Sequence, residues 1–195
     1  MKKRTLAGLG LAAALMFSGL STQAASAYPP GRALSMSSDA NMVQYRSNSV
    51  HIVVDNISSG ALTFSVNGKV SKTFAPRTNG NTQSWYFFPS APGKYLITSS
   101  SGVESKSTTV YVPKQPPLPS AITVRKGFQL NFQYVAPGST VSMTINGRRA
   151  ATGVADANGR VTLSVEAGLV TRGSNQVLIN YGGAFTGGGK IKGLK

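Results

Sequence analysis

Cysteine is absent from all 195 residues. Disulfides, thiol nucleophiles and cysteine-held metals are thereby excluded, and packing alone must hold the fold. Acids are scarce: Asp39, Asp55, Glu104, Asp156 and Glu166 are the five carboxylates. Acid–base work on a glycoside needs two carboxylates at a set separation, and no two of these are close in sequence. Histidine occurs once, as His51 between Val50 and Ile52. On an alternating strand it points away from both, and alone it reads as an exposed strand residue, not as a metal ligand or triad base. There is no Gly-x-Ser-x-Gly elbow and no phosphate loop ending in Lys-Ser/Thr. Asp156-Ala-Asn-Gly159 resembles the start of a calcium loop but lacks the distal acid, so a turn capped by Asp and Asn is expected. The chain reads as non-enzymatic, with no catalytic residue, metal or cofactor.

What is present occurs twice. Phe64-Ser-Val-Asn-Gly-Lys69 recurs as Met143-Thr-Ile-Asn-Gly-Arg148 at an offset of 79, and Asn79-Gly80 recurs as Asn158-Gly159. Val50, Ile52 and Val54 recur at an offset of 78 as Phe128, Leu130 and Phe132. Asn-Gly between alternating apolar residues predicts a two-residue hairpin, because both turn positions need φ > 0. Lys72 shares parity with Val70 and Phe74, which predicts a bulge or a partly exposed arm. The arm after the second turn, Arg148 to Ala151, predicts an edge strand, since positive charge discourages edge-to-edge pairing. Short strands with turns between them predict a sandwich or barrel, and no helical periodicity of useful length follows residue 27.

Around these copies the chain divides readily. Lys2-Lys-Arg4, the apolar run Leu6 to Leu20 and Ala25-Ser-Ala27 predict a signal peptide over 1–27, cleaved to leave Tyr28 first. The protein is thus expected outside the cell, free or associated with the cell wall, with no transmembrane segment in its mature form. Residues 28–112 form the first expected domain. Pro113-Lys-Gln-Pro-Pro-Leu-Pro119 opens a linker over 113–120, where polyproline II predicts a semi-rigid spacer. Residues 121–183 form the second domain. Residues 184–195 are Gly-rich and basic, expected as a flexible tail or a ragged last strand.

Pro92-Gly-Lys-Tyr95 at the entry to a late strand has the arrangement of a tyrosine corner. Together with Gly60-Ala-Leu-Thr-Phe-Ser-Val-Asn-Gly68 and Val154-Ala-Asp-Ala-Asn-Gly-Arg-Val-Thr-Leu163, it resembles the bacterial immunoglobulin-like (Big-type) repeats of secreted and surface proteins. The resemblance implies an all-β fold of two tandem immunoglobulin-like β-sandwiches. It also implies work as a stalk, adhesin or accessory module without a shared catalytic site.

Charge suggests what such a protein could hold. Lys and Arg number 20 against the 5 acids. Beyond residue 27 the excess is +4 over 28–112, +5 over 113–183 and +3 over 184–195. That balance favours an anionic cell-wall polymer or acidic glycan, with no specific nucleic acid, although scattered cations can also serve solubility alone. Lys69, Lys72, Arg148 and Arg149 follow the two hairpin turns, and Lys190, Lys192 and Lys195 lie in the last segment. The strand Ser84 to Phe88 carries aromatics on both faces. Carrying the offset of 79 forward turns Tyr86 and Phe88 inward and leaves Trp85 and Phe87 outward as a stacking platform, unless Trp85 is the core Trp of a sandwich. Adhesion through these basic and aromatic surfaces is the expected function. The alternative is a structural or accessory module that spaces or presents another secreted protein.

Overall fold

Apolar alternation becomes strands throughout the computed structural model, which describes residues 33–57, 60–76 and 82–195. The expected signal peptide and the Asn79-Gly80 turn lie outside the described residues. The first half holds β1 (Ser35–Ser38), β2 (Val50–Asp55), β3 (Leu62–Val66), β4 (Lys69–Phe74), β5 (Gln83–Phe87), β6 (Gly93–Ser101) and β7 (Glu104–Val112). The second holds β8 (Ala121–Thr123), β9 (Phe128–Phe132), β10 (Thr140–Ile145), β11 (Arg148–Val154), β12 (Val161–Val165), β13 (Gly173–Tyr181) and β14 (Phe185–Leu194). Among the described residues there is no helix, and so none long and apolar enough to cross a membrane.

Each half makes its own pair of sheets. In the first, β1-β2-β5 faces β4-β3-β6-β7; in the second, β12-β9 faces β11-β10-β13-β14-β8. Two apolar clusters fill the gaps. Val50, Ile52 and Val54 meet Leu62, Phe64, Ile97 and Val110 in one. Leu130, Phe132 and Leu163 meet Val141, Met143, Val177 and Ile179 in the other. Removing each such side chain from water contributes about 1.5–3 kcal/mol. The chain is all-β, with the Greek-key strand order of immunoglobulin-like sandwiches.

The repeat is visible in the ladders. Val50 and Ile52 pair with Phe87 and Trp85, as Phe128 and Leu130 pair with Val165 and Leu163. Both hairpins carry a bulge at the same step. Phe64 pairs with Lys72 and Ser65 with Val70, leaving Ser71 extra; Met143 pairs with Ala151 and Thr144 with Arg149, leaving Ala150 extra. Lys72 thereby remains exposed at the sheet edge despite its apolar parity.

Asparagine does two jobs in these turns. Asn67 and Asn146 both sit at φ 50, followed by Gly68 at φ 80 and Gly147 at φ 77, as the tight turn demands. Their side chains then tie the turn to the next strand: Asn67 Oδ1 accepts from Leu96 N–H at 2.8 Å, and Asn146 Oδ1 from Gln176 N–H at 2.9 Å.

The expected tyrosine corner is formed. The Tyr95 hydroxyl donates to Ala91 O at 2.6 Å and accepts from Ala91 N–H at 3.1 Å. In the second half the corresponding station is Asn175, fully buried, which grips Thr171 four residues upstream just as Tyr95 grips Ala91. Glycine marks another close approach there: a Cβ on Gly193 would lie 1.9 Å from Thr171 O.

The Gly-rich end and the Pro-rich stretch both lie against the second half. In the Gly-rich end, residues 185–193 pair with β13 and residues 192–194 pair in parallel with β8. The Pro-rich stretch lies beside the end of β9: Lys114 donates its N–H to Gln133 O at 2.9 Å, and Leu118 packs against the second core. It stands opposite the end of β9 as β1 stands opposite the end of β2, where Ser35 pairs with Asp55. Proline has no N–H to offer a ladder, which holds this contact to a single bridge. Glycines make the room: a Cβ on Gly187 would meet Gln115 Oε1 at 2.5 Å, and one on Gly189 would meet Leu118 at 3.0 Å.

Candidate functional site

The aromatic strand lies one residue out of the expected register. Phe87 pairs with Val50 and Trp85 with Ile52, so both share the inward face of β2. Phe87 is buried, and Trp85 is half-buried with its ring 5.1 Å from Phe64 and 5.8 Å from Phe87. Both therefore pack against the first core and not on the outer face of the sheet. The cause is the offset, which is 79 at the hairpins but 78 along β2 and β5. A one-residue slip exchanges the two faces of a strand.

The outward aromatics are therefore Tyr86 and Phe88, the latter 72% exposed. Tyr86 stacks on His51 across the ladder, with centroids 4.5 Å apart and planes 16° from parallel. Beyond the strand end, Phe88 and Pro89 form one wall of a cavity of about 160 Å³, closed by Arg46, Ser47 and Asn48. Arg46 sits at φ 64, left-handed backbone that a long side chain seldom adopts, and its guanidinium lies 5.0 Å from the centre of the Tyr45 ring. The carboxylate-free strand pattern could have revealed this face had the register been taken from β2 instead of the hairpin.

The basic residues separate into two groups. Lys69 and Lys72 lie on edge strand β4 of the first half, with Lys72 Nζ 5.5 Å from the centre of the Phe74 ring. Arg148 and Arg149 begin edge strand β11, where Arg149 donates to Thr152 Oγ1 at 2.8 and 2.9 Å. Lys190 and Lys192 point outward from β14, and Lys195 follows it, exposed.

Contacts among the turns place the second group at one end. Asn146 reaches Thr171 and Asn175; Gly168 N–H donates to Val124 O; Val124 N–H donates to Leu194 O. Hence the β8–β9 turn, the β10–β11 hairpin, the β12–β13 loop and the end of β14 lie together. Arg125, Lys126 and Arg172 belong to the same turns, and all three are exposed. They were missed from sequence because only the fold brings their loops to the hairpin. Eight of the ten Lys and Arg in residues 113–195 thus gather there, against one acid, Glu166. With strands roughly 4.8 Å apart, the four steps from β11 to β8 spread the charge over about 20 Å. The first half meets the second at the opposite end, through Met42 beside Gly182.

Most carboxylates are engaged in shaping turns. Asp39 Oδ1 accepts from His51 N–H, Glu104 Oε2 from Leu34 N–H, and Asp156 Oδ1 from both Asn158 and Arg160 N–H. Asp55 Oδ1 accepts from the Thr82 hydroxyl. Asp156 is thus the turn cap that its sequence suggests. Among the described residues no three of His, Cys, Asp and Glu group as metal ligands.

No protein-family model matches the chain, and no curated protein does. Solved structures similar to it include immunoglobulin-like and fibronectin-III-like domains of bacterial adhesins and surface proteins, and also a glycosyl hydrolase of family 2. One is a C-terminal fragment of intimin in complex with the intimin-binding domain of the translocated intimin receptor, at 12% identity and a TM-score of 0.44, covering 82% of this chain and 63% of that one. Another is the Yersinia pseudotuberculosis adhesin InvE, at 12% identity and 0.33, covering 83% and 59%. A third, domains 4 and 5 of the S-layer protein SbsC, is 14% identical at 0.31 and covers 84% and 98%. The chain therefore spans less than two thirds of the first two.

Proposed function

We propose that this is an exported, non-enzymatic surface protein of two tandem immunoglobulin-like sandwiches that holds an anionic polymer by the cationic end of the second. In this reading residues 28–112 form the first domain. The second runs from the Pro-rich stretch at 113 to 195, taking that stretch as its first strand and β14 as its last. The observation that carries the reading is the gathering of Arg125, Lys126, Arg148, Arg149, Arg172, Lys190, Lys192 and Lys195 at the end remote from the first half. A spread of like charge draws a polyanion without demanding a fixed shape, which suits a wall polymer or an acidic glycan. Lys69 and Lys72 lie on the first half and are not needed for this contact.

Retention of the mature protein on purified wall polymer, measured across a salt series, tests the proposal. Exposed charges are screened over roughly 8 Å at physiological ionic strength, so retention falls steeply with salt. Arg148→Ala with Arg149→Ala weakens it, and Lys190→Ala with Lys192→Ala weakens it further. Retention that ignores both salt and these substitutions would refute the charge-held contact.

A further inference from the structure

The second sandwich is an internal control for the first. At the offset of 78, Ser84, Tyr86 and Phe88 of the first half correspond to Thr162, Ser164 and Glu166 of the second. His51 corresponds to Gln129, which donates to Ser164 Oγ at 3.2 Å. The fold is therefore built equally well with polar groups on this outer face. Tyr86 and Phe88, 52% and 72% exposed, add little to the core, yet they hold aromatic surface in water.

Polar and charged groups stand beside that surface. Arg46, Ser47 and Asn48 line the same cavity as Phe88. Ser47 and Asn48 also line a larger cavity of about 730 Å³, polar in character, that continues past Asn41 to Gly182 and Gly183 of the second half. Left-handed backbone at a non-glycine residue persists where surrounding structure holds it, and such positions cluster at binding sites. The groove so formed is lined by Phe88, Pro89 and Arg46 at one end, then by Ser47, Asn48, Asn41 and backbone, with the Asp39 carboxylate also on the wall of the larger cavity.

We propose that this groove binds an acidic sugar chain, with the C–H face of one ring on Phe88 and its carboxylate on Arg46. Tyr86 and Phe88 are two residues apart on one face, roughly 7 Å along the strand, so neighbouring aromatic faces meet consecutive parts of the chain. Flat aromatic faces suit the apolar face of a pyranose, the side-chain hydroxyl and amide of Ser47 and Asn48 suit its hydroxyls, and the guanidinium selects the acid. This site lies on the first half, on the side that meets the second half away from the cationic turns, and does not depend on them.

Titration of the mature protein with trigalacturonate, followed by backbone amide resonances, tests the site; maltotriose and a tetraglutamate peptide are the comparators. Trigalacturonate is expected to saturate, moving resonances of Arg46 to Asn48 and Tyr86 to Phe88, with part of the binding surviving high salt. Phe88→Ala is expected to weaken it about fivefold, the loss of one stacking contact. Arg46→Gly removes the charge at a position whose φ suits glycine, so folding is kept, and it lowers the preference for the acidic over the neutral trisaccharide about tenfold. Lys190→Ala with Lys192→Ala diminishes any shifts at the cationic turns but leaves those of Arg46 to Asn48 and Tyr86 to Phe88 unchanged, so failure of the charge-held contact is read separately. The proposal is overturned if trigalacturonate does not saturate, or if it moves only the cationic turns. It is equally overturned if Phe88→Ala has no effect, or if tetraglutamate binds as well and is weakened by Phe88→Ala to the same degree.

Discussion

Asn175→Ala should cost the second sandwich far more than its size suggests. The side chain is fully buried and makes six hydrogen bonds. Nδ2 donates to Thr171 O at 2.7 Å, Gly173 O at 3.0 Å and Ile191 O at 3.3 Å. Oδ1 accepts from Thr171 N–H at 2.8 Å, Thr171 Oγ1 at 2.9 Å and Asn146 Nδ2 at 2.9 Å. The Thr171 hydroxyl and the Asn146 amide can turn to water, which leaves four backbone groups unpaired after the substitution. At about 1 kcal/mol each, the loss is about 3–4 kcal/mol. A small domain has about 5–15 kcal/mol in all. Urea unfolding followed by circular dichroism reads this as a fall of about 2 M in the midpoint, for a slope of roughly 1.5–2 kcal/mol per molar. Trp85, the sole tryptophan, lies in the first half and reports that half separately by fluorescence. Tyr95→Phe, at the matching but more open corner, should cost about 1 kcal/mol. A loss below about 1 kcal/mol for Asn175→Ala would refute the argument that this residue holds the loop.

Trp85 should emit as a partly shielded indole and resist iodide; quenching as complete as that of free tryptophan would reverse the face assignment of β5. Tyr181 is buried, its hydroxyl has no partner among the described residues, and burial pushes its ionisation well above the usual phenol range. In the unfolded chain it ionises near pH 10, so its stability contribution is full below about pH 10 and is lost as pH rises further. Tyr181→Phe should keep or raise stability at pH 7 and flatten that alkaline loss, as denaturant titrations at pH 7 and 11 would show. Gly193→Ala should destabilise by about 2–3 kcal/mol, since its Cβ would collide with a backbone carbonyl that cannot turn away; an unchanged melting curve would contradict that contact.

Strand positions and hairpins were legible because alternation and Asn-Gly are local signals. The bulge at Lys72 was legible for the same reason: an apolar-parity lysine has nowhere else to go. The faces of β5 were not. Its neighbour in the sheet is β2, so its register follows the copy offset of β2, and the hairpin offset carried across an intervening turn gave the wrong parity. Composition alone could not decide the form of either end of the second sandwich. Glycine and proline read as slack, yet Gly187 and Gly189 leave out side chains so that Gln115 and Leu118 can lie against β14. The cationic end escaped detection because Arg125, Arg148 and Arg172 come from three separate turns. Charge counted along the chain does not reveal which loops share an end.

The doubled use of asparagine in the hairpins also bears on how this protein ages. An Asn-Gly pair is the sequence most open to deamidation, in which the glycine nitrogen attacks the asparagine carboxamide. At Asn67 and Asn146 the carboxamide oxygen is held by the amide of the neighbouring strand, and the backbone is locked in the turn. Both restraints vanish when the chain opens. Damage at these two positions should therefore accumulate in proportion to time spent unfolded, so that the extent of isoaspartate at Asn67 and Asn146 becomes a record of each sandwich's thermal history. With no disulfide to hold the chain closed, long life outside the cell would rest on how rarely those hairpins let go.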